Sequence, residues 1–144
     1  FNNAAHDILA IAEAMMMGEL EYRKENFDLA FAHLGRAVML DDELYYTEPW
    51  AWMHPPRHAL GALLLEQGRL SEAEHVYRAD LGIDDSLSRP SQHPNNVWSL
   101  HGYVECLERS SRLDQAGDMS VHLDVALEQS DREITSSCAC RTRF

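Results

Sequence analysis

Three alanines, Ala30, Ala73 and Ala116, stand 43 residues apart from one to the next. Three more columns keep the same step. Phe27, Leu70 and Leu113 lie three residues before each alanine, Leu34, Tyr77 and Ser120 four after, and Ala37, Asp80 and Leu123 seven after. Offsets of three, four and seven fall on one face of a helix. A period of this length marks units that cannot bury an apolar face alone and must stack on their neighbours. The segments Gly18–Ala30 and Gly61–Ala73 align without gaps. Glycine inside a helix costs about 1 kcal/mol against alanine, so Gly18 and Gly61 predict points where another helix comes close. In the third unit Val104 holds that position and Ser120 the large-residue position. Asn26, Gly68 with Arg69, and Ser111 with Arg112 mark tight turns, after which Asp28, Ser71 and Asp114 are expected to cap the second helices.

The pattern predicts helices at about 4–24, 28–40, 57–67, 71–81, 96–109 and 113–129. They group into repeats at about 4–41, 54–82 and 96–129 of a single domain, residues 1–144, with a tail over 130–144 that starts polar and ends basic. Long connections run from Asp41 to Pro56 and from Gly82 to Asn96. Their prolines stand near helix starts, where proline is tolerated.

The chain has 144 residues, ordinary hydrophobic content and a formal net charge of −12. Phosphate binding needs a basic surface, so nucleic acid is not expected as a partner. No apolar run reaches the length of a membrane span. The sequence begins at Phe1 without a visible signal peptide, and reads as a fragment or processed product whose compartment is not legible. Three cysteines, Cys106, Cys138 and Cys140, do not suggest a disulfide framework.

Small residue, turn, aromatic or Leu, Ala, then aromatic and Ala: this order resembles the tetratricopeptide repeat (TPR), over about 11–129, with a period longer than that family's usual ~34 residues. A closer resemblance rests on Pro49-Trp50, Arg57-His58-Ala59-Leu60-Gly61, Glu72 to Leu81, His93 to Leu100 and Ser137-Cys138-Ala139-Cys140-Arg141. These segments look like the C-terminal part of a family of bacterial and fungal TPR proteins, which implies a missing N-terminal portion and says little of function. The implied fold is an all-α, right-handed α-solenoid of three helix-turn-helix repeats with long inter-repeat loops.

In that arrangement the first helix of each pair faces a concave groove. The register then forms columns of Met15, His58 and His101, of Glu19, Ala62 and Glu105, and of Arg23, Glu66 and Arg109, flanked by Tyr22, Leu65 and Glu108. The Arg23–Glu66–Arg109 column reads as ion pairing between repeats or as capture of a carboxylate. The family's clamp for C-terminal carboxylates uses Lys, Asn and Arg, and this groove departs from it. His58, His101 and Glu105 admit two readings: a ligand set for a divalent metal such as zinc, or polar contacts to a peptide. No other cofactor is suggested.

Elsewhere, Cys138-Ala139-Cys140 reads as a soft-metal pair, a short disulfide or two incidental thiols. Cys106 reads as a buried small hydrophobe. The aromatic run Tyr45 to Trp52 reads as a cover folded over the core or as a contact patch. Asp41-Asp42 and Asp84-Asp85 read as solubilising charge. No Gly-x-Ser-x-Gly elbow, phosphate loop or His-Glu-x-x-His motif is present, and no enzyme is expected. Three functions remain open: a non-catalytic scaffold binding a protein or peptide in its groove, a subunit that self-assembles into oligomers or filaments through apolar end helices, and a metal-binding protein.

Overall fold

The computed structural model describes residues 2–141. Phe1 and the last three residues of the expected tail lie outside them. Six helices follow in order: α1 (Ala5–Arg23), α2 (Phe27–Asp42), α3 (Pro56–Glu66), α4 (Leu70–Leu81), α5 (Val97–Arg109) and α6 (Leu113–Glu128). Single 3-10 turns occur at Arg89–Ser91 and Ala139–Arg141, and no strand occurs among the described residues. The protein is therefore all-α, with each expected helix in place to within two residues at either end. The chain divides into two compact units, with the boundary between Leu60 and Gly61, inside α3.

In the first unit α1 packs on α2. Ile11, Ala14 and Tyr22 of α1 meet Ala30, Leu34 and Ala37 of α2 in the core. Gly18 makes this possible, because a Cβ there would stand 2.6 Å from Leu34 Cγ. The connection after α2 is held by the bidentate pair of Arg57 with Asp42, at 2.6 and 2.7 Å. Asp41 and Asp42 thus end α2 and do not lie in a loop, and Asp42 anchors the buried Arg57. Trp52 donates its indole N–H to Met15 Sδ at 3.2 Å. The aromatic run divides: Trp52 covers the core, whereas Tyr45, Tyr46 and Trp50 remain exposed.

In the second unit α5 packs against both α4 and α6. Leu63, Leu65, Tyr77, Leu100, Cys106 and Leu107 are fully buried, and burying each such leucine contributes about 1.5–3 kcal/mol. The 82–96 connection is pinned to the end of α4. Gly82 takes the left-handed conformation, φ +68°, that closes the helix, and His93 N–H donates to Asp80 O. Asn96 then caps α5, its side chain accepting from Trp98 N and Ser99 N.

One local device recurs in both units. Each short turn contains a left-handed residue: Glu25, Gly68 and Ser111, with φ of 64°, 72° and 60°. The following residue donates five back, from Asn26 to Glu21 O, Arg69 to Leu64 O and Arg112 to Leu107 O. Ala30, Ala73 and Ala116 each donate to the carbonyl four residues earlier, at 2.9, 3.0 and 3.0 Å. The 43-residue step of the sequence is thus repeated in backbone conformation. The expected caps are not observed. Asn26, Arg69 and Arg112 hold the cap positions without a side-chain cap bond. Asp28, Glu72 and Asp114 sit in the first turn, where a negative charge favours the positive end of the helix dipole.

Candidate functional site

Tyr77 organises the second unit. It projects from α4 and is fully buried, in a gap made by two glycines. A Cβ on Gly61 of α3 would stand 2.6 Å from the ring's Cζ, and one on Gly102 of α5 would stand 2.2 Å from it. No larger residue fits at either place. Through this gap the hydroxyl donates to Ser137 Oγ at 2.8 Å. Burial pushes the Tyr77 phenol far above its ordinary range, against the opposing effect of the Ser137 bond, so it stays a neutral donor.

Ser137 and Cys138 are themselves buried, at 0 and 2 % exposure, so the segment after α6 returns to lie against the helices. Arg141 closes the contact. Its guanidinium donates to both carboxylate oxygens of Glu105, at 2.5 and 3.1 Å. Arg109, one turn along α5, donates to Glu105 at 3.1 Å and to Leu65 O of α3 at 2.7 Å. Burial alone would raise the Glu105 carboxyl, but Arg141 and then Arg109 outweigh it and hold it below the usual carboxylate range. Glu66, exposed at the end of α3, adds to the negative field on Arg141. Cys138 and Cys140 form a disulfide.

A second polar node lies at the end of α4. The fully buried Asp80 accepts from Ser99 Oγ at 2.5 Å and from His93 Nδ1 at 2.8 Å. The serine hydroxyl points to the carboxylate and not to the imidazole, so this trio does not activate a nucleophile. It ties α5 and the preceding connection to α4. Arg112, in the turn before α6, forms a bidentate pair with Glu74 of α4.

The expected groove residues are only partly assembled. In the first unit Met15 and Tyr22 are core residues and line no open surface: Met15 lies under Trp52, and Tyr22 meets Phe27 and Phe31 edge-on. Arg23 is exposed and extends over the Tyr22 ring. Glu19 is half-buried, and His58 is buried in α3. In the second unit Glu105, Arg109 and Glu66 do gather around one point, and His101 is half-buried one turn before Glu105. Arg109 pairs with Glu105, not with Glu66 as the column predicts.

Among the described residues no three His, Cys, Asp or Glu side chains come together to hold a metal ion. Of the expected set His58, His101 and Glu105, the Glu105 carboxylate has both oxygens engaged by arginines. Tyr77, Ser137 and Arg141 were not marked by sequence reasoning as site residues. The available signal was Gly102, a second mid-helix glycine for which the repeat register gives no reason.

No family model, curated protein or solved structure matches the chain.

Proposed function

We propose that this chain is a TPR-type interaction scaffold: three stacked helix-turn-helix repeats in a right-handed α-solenoid, presenting a groove to a peptide or protein partner and carrying out no chemistry of its own. The observation that carries the reading is the threefold recurrence of one turn, with left-handed residues at positions 25, 68 and 111, in step with the 43-residue columns of the sequence. Such repeats are a device for building extended binding faces. The face made by α3 and α5 carries a carboxylate, Glu105, set among arginines and already in contact with the segment that follows α6. The net charge of −12 favours a partner with basic character.

Panning a displayed peptide library against the chain, followed by calorimetry on the selected peptides, tests the proposal. Basic sequences whose affinity falls at least tenfold with Glu105→Arg support it. An absence of specific binders to the chain and to its Arg141→Ala form, or binders indifferent to Glu105→Arg and Arg109→Glu, rejects it.

A second reading, self-assembly, draws support from α6. This helix exposes Leu113, Val121 and Val125 along one stripe, the kind of face that an end repeat covers with polar residues when it ends an array. Light scattering over a concentration series tests it. A mass that rises with concentration and stays monomeric in Val121→Glu supports it, and a monomer throughout rejects it.

A further inference from the structure

The segment that follows α6 behaves as a ligand. Residues 130–138 contain no helix, yet Ser137 and Cys138 are buried and Arg141 is paired. Two polar contacts from the helices meet this segment. One phenol hydroxyl reaches through the Gly61–Gly102 gap to Ser137, and one ionised carboxylate grips Arg141. Repeat register explains Gly61 but does not require Gly102, where an added Cβ would come within 2.2 Å of Cζ of the Tyr77 ring. A tyrosine used for packing alone would not need its hydroxyl carried between two helices to the surface beyond.

We propose that the surface of α3 and α5 around Tyr77 and Glu105 is a recognition site for a basic peptide of the form Ser-x-x-x-Arg, and that the chain's own Ser137–Arg141 occupies it in cis. The proposal rests on the scaffold reading and specifies its ligand. The neutral Tyr77 hydroxyl selects a hydroxyl side chain. Glu105, backed by Arg109 and flanked by the field of Glu66, selects a guanidinium four residues later, which it engages through both oxygens. Arg109 also fixes Glu105 by bonding to Leu65 O, so the carboxylate is oriented before any ligand arrives. A tethered segment acts at an effective concentration of roughly millimolar. A free peptide with the same contacts therefore competes poorly until the tail is released.

The test uses the chain Phe1–Phe144 and a fluorescent peptide carrying the sequence Thr135–Arg141 with its cysteines oxidised, followed by polarisation. Arg141→Glu sets a carboxylate against Glu105 and releases the tail, Ser137→Glu/Arg141→Glu releases it at both contacts, and Arg141→Ala does so without added charge. Circular dichroism selects those that keep the wild-type helical content. The expected result is peptide binding at least tenfold tighter to a released chain than to wild type, lost again when Glu105→Arg is added. Equal binding to wild type and to every released chain, absence of binding to all of them, or tight binding that survives Glu105→Arg overturns the proposal. Failure of the scaffold reading looks different: no displayed peptide binds any form. If only the tail inference fails, displayed peptides bind wild type and released chains alike.

Discussion

Tyr77 is the residue on which most of the second unit depends, and its two ends make separable contributions. The ring needs glycine at 61 and 102, and the hydroxyl needs Ser137. Tyr77→Phe keeps the ring and leaves a fully buried serine hydroxyl without its donor, which costs about 1–3 kcal/mol. Urea denaturation should show that loss with an unchanged m-value. Gly61→Ala acts at the other end. In the native protein its Cβ would meet the ring at 2.6 Å, and overpacking of that kind costs about 1–3 kcal/mol. In a Tyr77→Ala background the obstacle is gone and alanine's advantage inside a helix, about 1 kcal/mol, remains. The same substitution should therefore destabilise the wild type and stabilise the variant. A double-mutant cycle reads this change of sign directly, and a Gly61→Ala penalty that persists without the ring would refute the account.

At the scale of elements, the helix pairs are set by their turns. Glu25 and Ser111 adopt the left-handed conformation that Gly68 adopts freely, and side chains pay roughly 1–2 kcal/mol to do so. Glu25→Gly and Ser111→Gly should each raise the midpoint of thermal unfolding, and Gly68→Ala should lower it. A Cβ on Gly68 would find nothing nearer than Arg109 Nη2 at 4.0 Å. The Gly68→Ala penalty is therefore conformational, and no compensating mutation of a neighbour should relieve it. The helices themselves were legible in the sequence because each signal is local: the 43-residue columns, the mid-helix glycines and the turn residues. In the 43-residue register Val104 and Ser120 stand where Gly18 and Leu34 do, a larger residue matched with a smaller one. The caps were misplaced because Asp28, Ser71 and Asp114 are good cap residues standing two positions inside helices whose starts are fixed by the turn. The Tyr77–Ser137 and Glu105–Arg141 contacts join residues 60 and 36 positions apart. Nothing in a local pattern announces which carboxylate a late arginine will meet, so half of the candidate site was invisible until the chain was folded.

For the molecule as a whole, an excess of acidic over basic residues, 24 to 12, makes each engaged cation consequential. The cations that pair are chiefly arginines, as in Arg57–Asp42, Arg112–Glu74 and Arg141–Glu105, where a planar guanidinium meets both carboxylate oxygens. Acid should dismantle the Arg141–Glu105 pair, whose carboxylate the two arginines hold ionised. Its folded pKa lies below the ordinary value, so the folded state holds its proton less tightly than the unfolded chain does. Stability from this group is fully present above the unfolded pKa, near ~4.3, and disappears as pH falls through the lower folded value. Arg141 remains charged across this range and loses its partner only when Glu105 takes a proton. Hydrogen exchange at the Arg141 amide, which bonds to Cys138 O at 3.2 Å, should therefore keep its protection at pH 6 and lose it in acid, once the pH falls through the lowered folded pKa of Glu105. The amides of Leu107 and Leu100 within α5 should stay protected further into acid, because their bonds belong to a packed helix. Glu105→Gln removes the titrating group, so in that variant Arg141 protection should be weak at pH 6 and in acid alike and no longer vary between them. Retained protection of Arg141 in acid, or an unchanged pH dependence in Glu105→Gln, would show that burial of Cys138 and not the ion pair holds the segment in place.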